Sequence, residues 1–118
     1  MDDLWTYNAN IALMEEGDWI EAVCSGSNVT AVGVHLGGDS NDGWVRALVD
    51  GVEVWRGSIY GDPDSAEGVY IRYLEVSGLE PGLHTIRLEN LGIDGEGGGD
   101  DVAMRFFGCS ALPVGLAP

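Results

Sequence analysis

The chain has 118 residues, enough for one domain with its own core and no obligatory metal or disulfide. Twenty acidic residues face five arginines and no lysine, giving a net charge of -15. That balance excludes nucleic acid and anionic membrane surfaces as partners, since both need a basic face. No stretch approaches the ~20 apolar residues that span a bilayer, and Met1-Asp2-Asp3 leads into no apolar signal region, as in a mature form or a module cut from a longer protein.

In chain order, Leu4 to Tyr7 and Asp18 to Cys24 read as the first strands. Asn28 to Leu36 alternates with period two, setting Val32, Val34 and Leu36 on one face and Ala31, Gly33 and His35 on the other. Trp44 to Val49 and Val52 to Tyr60 flank Asp50-Gly51, the dipeptide preferred by a two-residue type I′ hairpin because both central residues need a positive φ. Val69 to Val76 alternates Val69, Ile71 and Tyr73 against Tyr70, Arg72 and Leu74. Pro81-Gly82 reads as a type II turn ahead of His84 to Leu91, where Ile86 and Leu88 point inward. Val102 to Cys109 closes the domain with Val102, Met104 and Phe106 as its core face. No window carries a helical period. The expectation is an all-β fold: a two-sheet antiparallel β-sandwich of the jelly-roll kind, with seven to eight strands and little helix. The module covers residues 1–109, and residues 110–118 read as an extended tail or linker.

Three loops between the strands are Gly/Asp-rich and longer than minimal turns: residues 37–43, 61–68 and 92–101. Loops on a rigid β scaffold are where binding residues usually sit. Gly38-Asp39-Ser40 has the look of a hydrolase nucleophile loop, but no Asp-x-x-His element and no α/β scaffold accompany it, so Asx-turn chemistry is the better account. Paired carboxylates such as Glu15/Glu16 and Asp100/Asp101 are expected by chance in so acidic a chain, and the reading is non-enzymatic. Asp62, Asp64 and Glu67 in one loop, and Asp94, Glu96, Asp100 and Asp101 in another, are spaced to gather a structural Ca²⁺, which prefers carboxylate and carbonyl oxygens. Ordinary solvated loops are the competing account. Cys24 and Cys109, 85 residues apart, match no zinc pattern; they are either a disulfide of an exported protein or two buried thiols. Asn28-Val29-Thr30 fits the N-glycosylation acceptor pattern.

The order of a small-residue strand, a Gly-rich loop, Val-Asp-Gly between strands, an acidic loop, an aromatic strand and Gly-Leu-x-Pro-Gly-x-His-Thr-Ile-x-Leu resembles the galactose-binding-like jelly rolls of carbohydrate-binding modules and ancillary domains of extracellular proteins. The matching stretches are 29–36, 45–54 and 77–91, with 102–107 fitting as the last strand. The resemblance implies an extracellular or cell-surface module whose partner is a polysaccharide or glycan. Aromatic rings stack on sugar faces while polar side chains bind hydroxyls. On that basis Trp44, Trp55, Arg56, Tyr60 and Asp62 are the ligand-binding candidates, and Trp19 and Tyr73 are assigned to the core. The alternative is a self-associating adhesive or filament subunit, assembled by lending the strand Leu4 to Tyr7 or the tail to a neighbour's sheet edge.

Overall fold

The computed structural model describes residues 3–94 and 99–111, with residues 3–11 and 111 in backbone only. Seven strands form: β1 (Asp3–Leu13), β2 (Trp19–Gly38), β3 (Trp44–Val49), β4 (Val52–Ser58), β5 (Tyr70–Val76), β6 (Gly82–Asn90) and β7 (Val102–Ala111). There is no helix among the described residues. Every strand pair is antiparallel.

The two stretches read separately as 18–24 and 28–36 are one 20-residue strand, β2, which serves both layers. Its first half pairs with β6, the register breaks between Cys24 and Val29, and its second half lies between β5 and β7. A bulge bends a strand and sharpens its twist, which lets one strand pass from sheet to sheet. One layer is therefore β5-β2-β7-β1 and the other β2-β6-β3-β4. The inner faces meet in a core of Val32, Val34, Leu36, Val45, Ala47, Ile86, Leu88, Val102, Met104 and Phe107. Cys24 and Cys109, both buried, are joined by a disulfide with Cα atoms 5.8 Å apart. That bond ties the first half of β2 to β7, and thus one layer to the other.

Three sequence expectations need correction. Phe107, not Phe106, enters the core: on β2, His35 faces Phe106 but Leu36 faces Met104, so Arg105 is an extra residue and the alternation flips there. Phe106 instead stacks on His35 at the outer surface, 5.0 Å between centroids. Trp19 and Tyr73 are also on outer faces, 53% and 45% exposed. Trp19 alternates opposite to Ile20, Ala22 and Cys24, and Tyr73 stands opposite outward-facing His35. Finally, Gly82 sits at φ 157°, outside the αL region that a type II turn requires there, and the αL residue of that connection is Gly78 at φ 73°. The β3–β4 turn does have positive φ at both Asp50 (50°) and Gly51 (81°).

β7 runs through Ala111, two residues past residue 109, and residues 112–118 lie outside the described residues. The strand proposed for lending is occupied at home: β1 pairs with β7 from Asp3 opposite Ala111 to Leu13 opposite Val102.

Candidate functional site

The three Gly/Asp-rich loops converge on one end of the sandwich. Gly43 N–H donates to Asp101 O at 2.7 Å, Asp101 N–H to Asn41 O at 3.0 Å, and Trp44 N–H to Ile93 O at 3.0 Å. Gly61 N–H reaches Asp39 O at 3.2 Å, which brings in the third loop. The glycines are needed because backbones touch: a Cβ on Gly38 would collide with Ile59 O, and one on Gly61 with Tyr70 N. Asn90, buried at the end of β6, pins the assembly by donating to Leu13 O and Asp100 O and accepting from Gly92 N–H.

Local side-chain turns shape each loop. Asp39 Oδ1 accepts from Asn41 N–H, and Asp42 Oδ2 accepts from Asp39 N–H at 2.7 Å. The Gly38-Asp39-Ser40 stretch is thus the Asx-turn loop expected of it. Burial pushes the Asp42 carboxyl up to about 6, and the negative charges of Asp39 and Asp101 add to that rise against the opposing Asp39 N–H bond. Asp62 Oδ1 caps Asp64 N–H at 2.9 Å, and its carbonyl accepts from Ser65.

An open cleft of about 490 Å³ lies where the 61–68 loop meets the start of β5. Tyr60, Asp62, Ser65, Glu67, Tyr70 and Ile71 line it. Tyr70 also packs against the core, so its ring is held in place from behind. Two rings, two carboxylates and a hydroxyl around one cleft can bind a polyhydroxylated ring by stacking and hydrogen bonding.

The ligand candidates divide. Tyr60 and Asp62 line the cleft. Trp55, opposite Ala47, faces inward at the sheet margin and packs on the core. Arg56 points to the other side of β4, where Glu53 holds it at 2.8 Å. Trp44 alternates with core residue Val45 and so lies on that outer side too. Tyr70 and Ile71 also line the cleft and are not among the candidates; Tyr70 shares a side of β5 with Leu74, which is the signal that marks it. As for calcium, no three acidic, imidazole or thiol side chains gather as a metal site among the described residues. Asp62, Asp64 and Glu67 therefore form no cage, Asp94, Asp100 and Asp101 form none either, and Glu96 lies outside the described residues.

No family model matches the chain, and no curated protein matches it. Solved structures do. The CBM36-1 domain of a multidomain xylanase from the hindgut metagenome of Trinervitermes trinervoides superposes with TM-score 0.55 at 15% identity, covering 97% of this chain and 100% of that one. A family 35 carbohydrate binding module from an environmental isolate gives 0.55 at 11% identity, covering 86% and 76%. The chain thus shares the all-β sandwich fold of these carbohydrate-binding modules. A two-domain esterase active on acetylated mannans also carries it, with TM-score 0.60 and 15% identity over 87% of this chain and 28% of that one. The jelly roll itself assigns no ligand, so function has to come from the cleft and its residues.

Proposed function

We propose that this domain is a non-catalytic carbohydrate-binding module that holds a polysaccharide or glycan at its loop end. The observation that carries the reading is the cleft in which Tyr60 and Tyr70 stand with Asp62 and Glu67. The fold, shared with carbohydrate-binding modules, agrees with it. Extracellular residence is part of the proposal, and the Cys24–Cys109 disulfide supports it, since such bonds persist in oxidising compartments.

Affinity electrophoresis against soluble xylan, glucomannan and β-glucan tests the reading. The expected result is retardation by at least one polymer, unchanged by EDTA and abolished by Tyr60→Ala. Migration unaffected by every polymer sinks it, and retardation that vanishes in EDTA restores calcium to the site.

A further inference from the structure

The cleft does not end at Tyr70. Tyr70 and Arg72 lie two residues apart on the same side of β5, opposite Gly38 and Leu36 of β2, a step of about 7 Å at ordinary strand rise. Leu36 is fully buried, so this is the inward side. Because β5 is an edge strand, its inward side opens at the margin of the sandwich. The edge strand of the other layer is β4, and its inward-facing Trp55 meets Arg72 there, the guanidinium carbon 5.2 Å from the ring centroid. The indole lies along β4 across Gly57, where a Cβ would come within 2.7 Å of Cζ2. That strand leads on to Ser58 and Tyr60. A row therefore follows the seam between the two edge strands: Trp55, Arg72, Tyr70, then Tyr60 and Asp62 in the cleft.

Arg72 differs from the three arginines that carboxylates hold. Arg46, Arg56 and Arg87 are each held by glutamate carboxylates. Among the described residues Arg72 is in no ion pair; its guanidinium carbon stands within cation–π range of the Trp55 indole, and the residue is exposed. A guanidinium laid on tryptophan is a flat, donor-rimmed platform suited to a second sugar ring. We infer that Trp55 and Arg72 form a second subsite, and that the occupant is a linear oligosaccharide lying along the seam rather than a single terminal sugar. This rests on the glycan-binding reading of the cleft.

Calorimetry with xylo-, cello- and manno-oligosaccharides of two to six units tests it. In at least one series affinity should climb with length and then level off. Arg72→Ala should lower affinity for the longest members by about tenfold and leave the disaccharide unchanged. Arg72 is exposed, so this variant does not disturb the core; Trp55→Ala, which does touch the core, serves as the second variant and should act the same way once its fold is verified by circular dichroism. Affinity independent of length, or equal for wild type and Arg72→Ala at every length, overturns the seam subsite while leaving the cleft reading intact. Absence of binding to all three series overturns both.

Discussion

The two ends of the sandwich handle a carboxylate in opposite ways. At the hairpin end Asp50 sits in the β3–β4 turn with Thr85 N–H on Oδ1 and the His84 ring on Oδ2 at 2.6 Å. Burial works against its charge, but those bonds outweigh it and hold the carboxyl below its ordinary value. At the loop end Asp42 also caps a backbone N–H, yet its neighbours are Asp39 and Asp101, and it is pushed up to about 6. The hairpin end is locked by complementary partners, and the loop end is left electrostatically unsatisfied around a cleft. Stability is built at one end, and room to bind is kept at the other.

The largest expected effect removes the lock nearest the hairpin end. Cys24 pairs with His84 across β2 and β6, so the disulfide joins that region to β7. Closing an 85-residue loop restricts the unfolded chain by about 4 to 5 kcal/mol. Cys24→Ser with Cys109→Ser should lower stability by that order in urea melts, while polysaccharide retardation of the remaining folded protein stays unchanged. A loss of binding at full folding would mean that the ends are coupled. At the loop end, Asn90→Ala strips partners from buried Leu13 O and from part-buried Asp100 O and Gly92 N–H, and should cost about 3 kcal/mol. Unlike the cysteine change, it should also weaken binding, because it loosens Ile93 and Asp101, which are hydrogen-bonded to Asn41, Gly43 and Trp44.

His84 tests the hairpin end alone. Both ring nitrogens face acceptors, Asp50 Oδ2 and Glu80 O, an arrangement satisfied only by the imidazolium. Burial opposes that charge, but the two bonds prevail and raise its pKa above the ordinary 6.5. A raised folded value means that the stabilisation is complete below pH 6.5 and is lost as pH rises through the folded pKa. Asp50, lowered, contributes above its ordinary 3.8 and loses that contribution as pH falls through its folded value. The clasp is therefore at full strength between about pH 4 and 6.5. His84→Ala should cost about 2 kcal/mol at pH 5.5 and less at pH 9, read by thermal melts at both. An equal loss at both pH values would show that packing, not charge, is what His84 supplies.

What could be read from the sequence follows where local rules decide. Asp50-Gly51 and the Val32-Val34-Leu36 alternation are local, and the structure agrees with both. The misreadings arise where a long-range pairing changes the count. The extra residue at Arg105 flips Phe106 outward, and the bend between Cys24 and Val29 makes one strand of two. Neither event leaves a mark in the hydrophobic pattern of its own segment. The cleft was half legible for a similar reason. Tyr60 and Asp62 advertise themselves by adjoining a loop, whereas Tyr70 lines the cleft from an edge strand, β5, and only the sheet order reveals that edge.

The smallest expected effect has the sharpest sign. Asp42 titrates at about 6 in the folded domain against an ordinary 3.8. A raised value favours the folded state fully below pH 3.8, and that benefit is lost as pH climbs to 6, above which a charged Asp42 faces Asp39 and Asp101. Asp42→Asn keeps an acceptor for Asp39 N–H and removes the charge. It should stabilise the domain by about 1 kcal/mol at pH 7, with the gain vanishing below pH 4. The outcome also bears on calcium without any metal being added. If Asp42→Asn destabilises at pH 7 in untreated protein but stabilises after EDTA, a cation is already neutralising the loop end, and the contrast between the two ends becomes one of which counter-charge each recruits: an imidazolium from the chain at one, a metal ion from solution at the other.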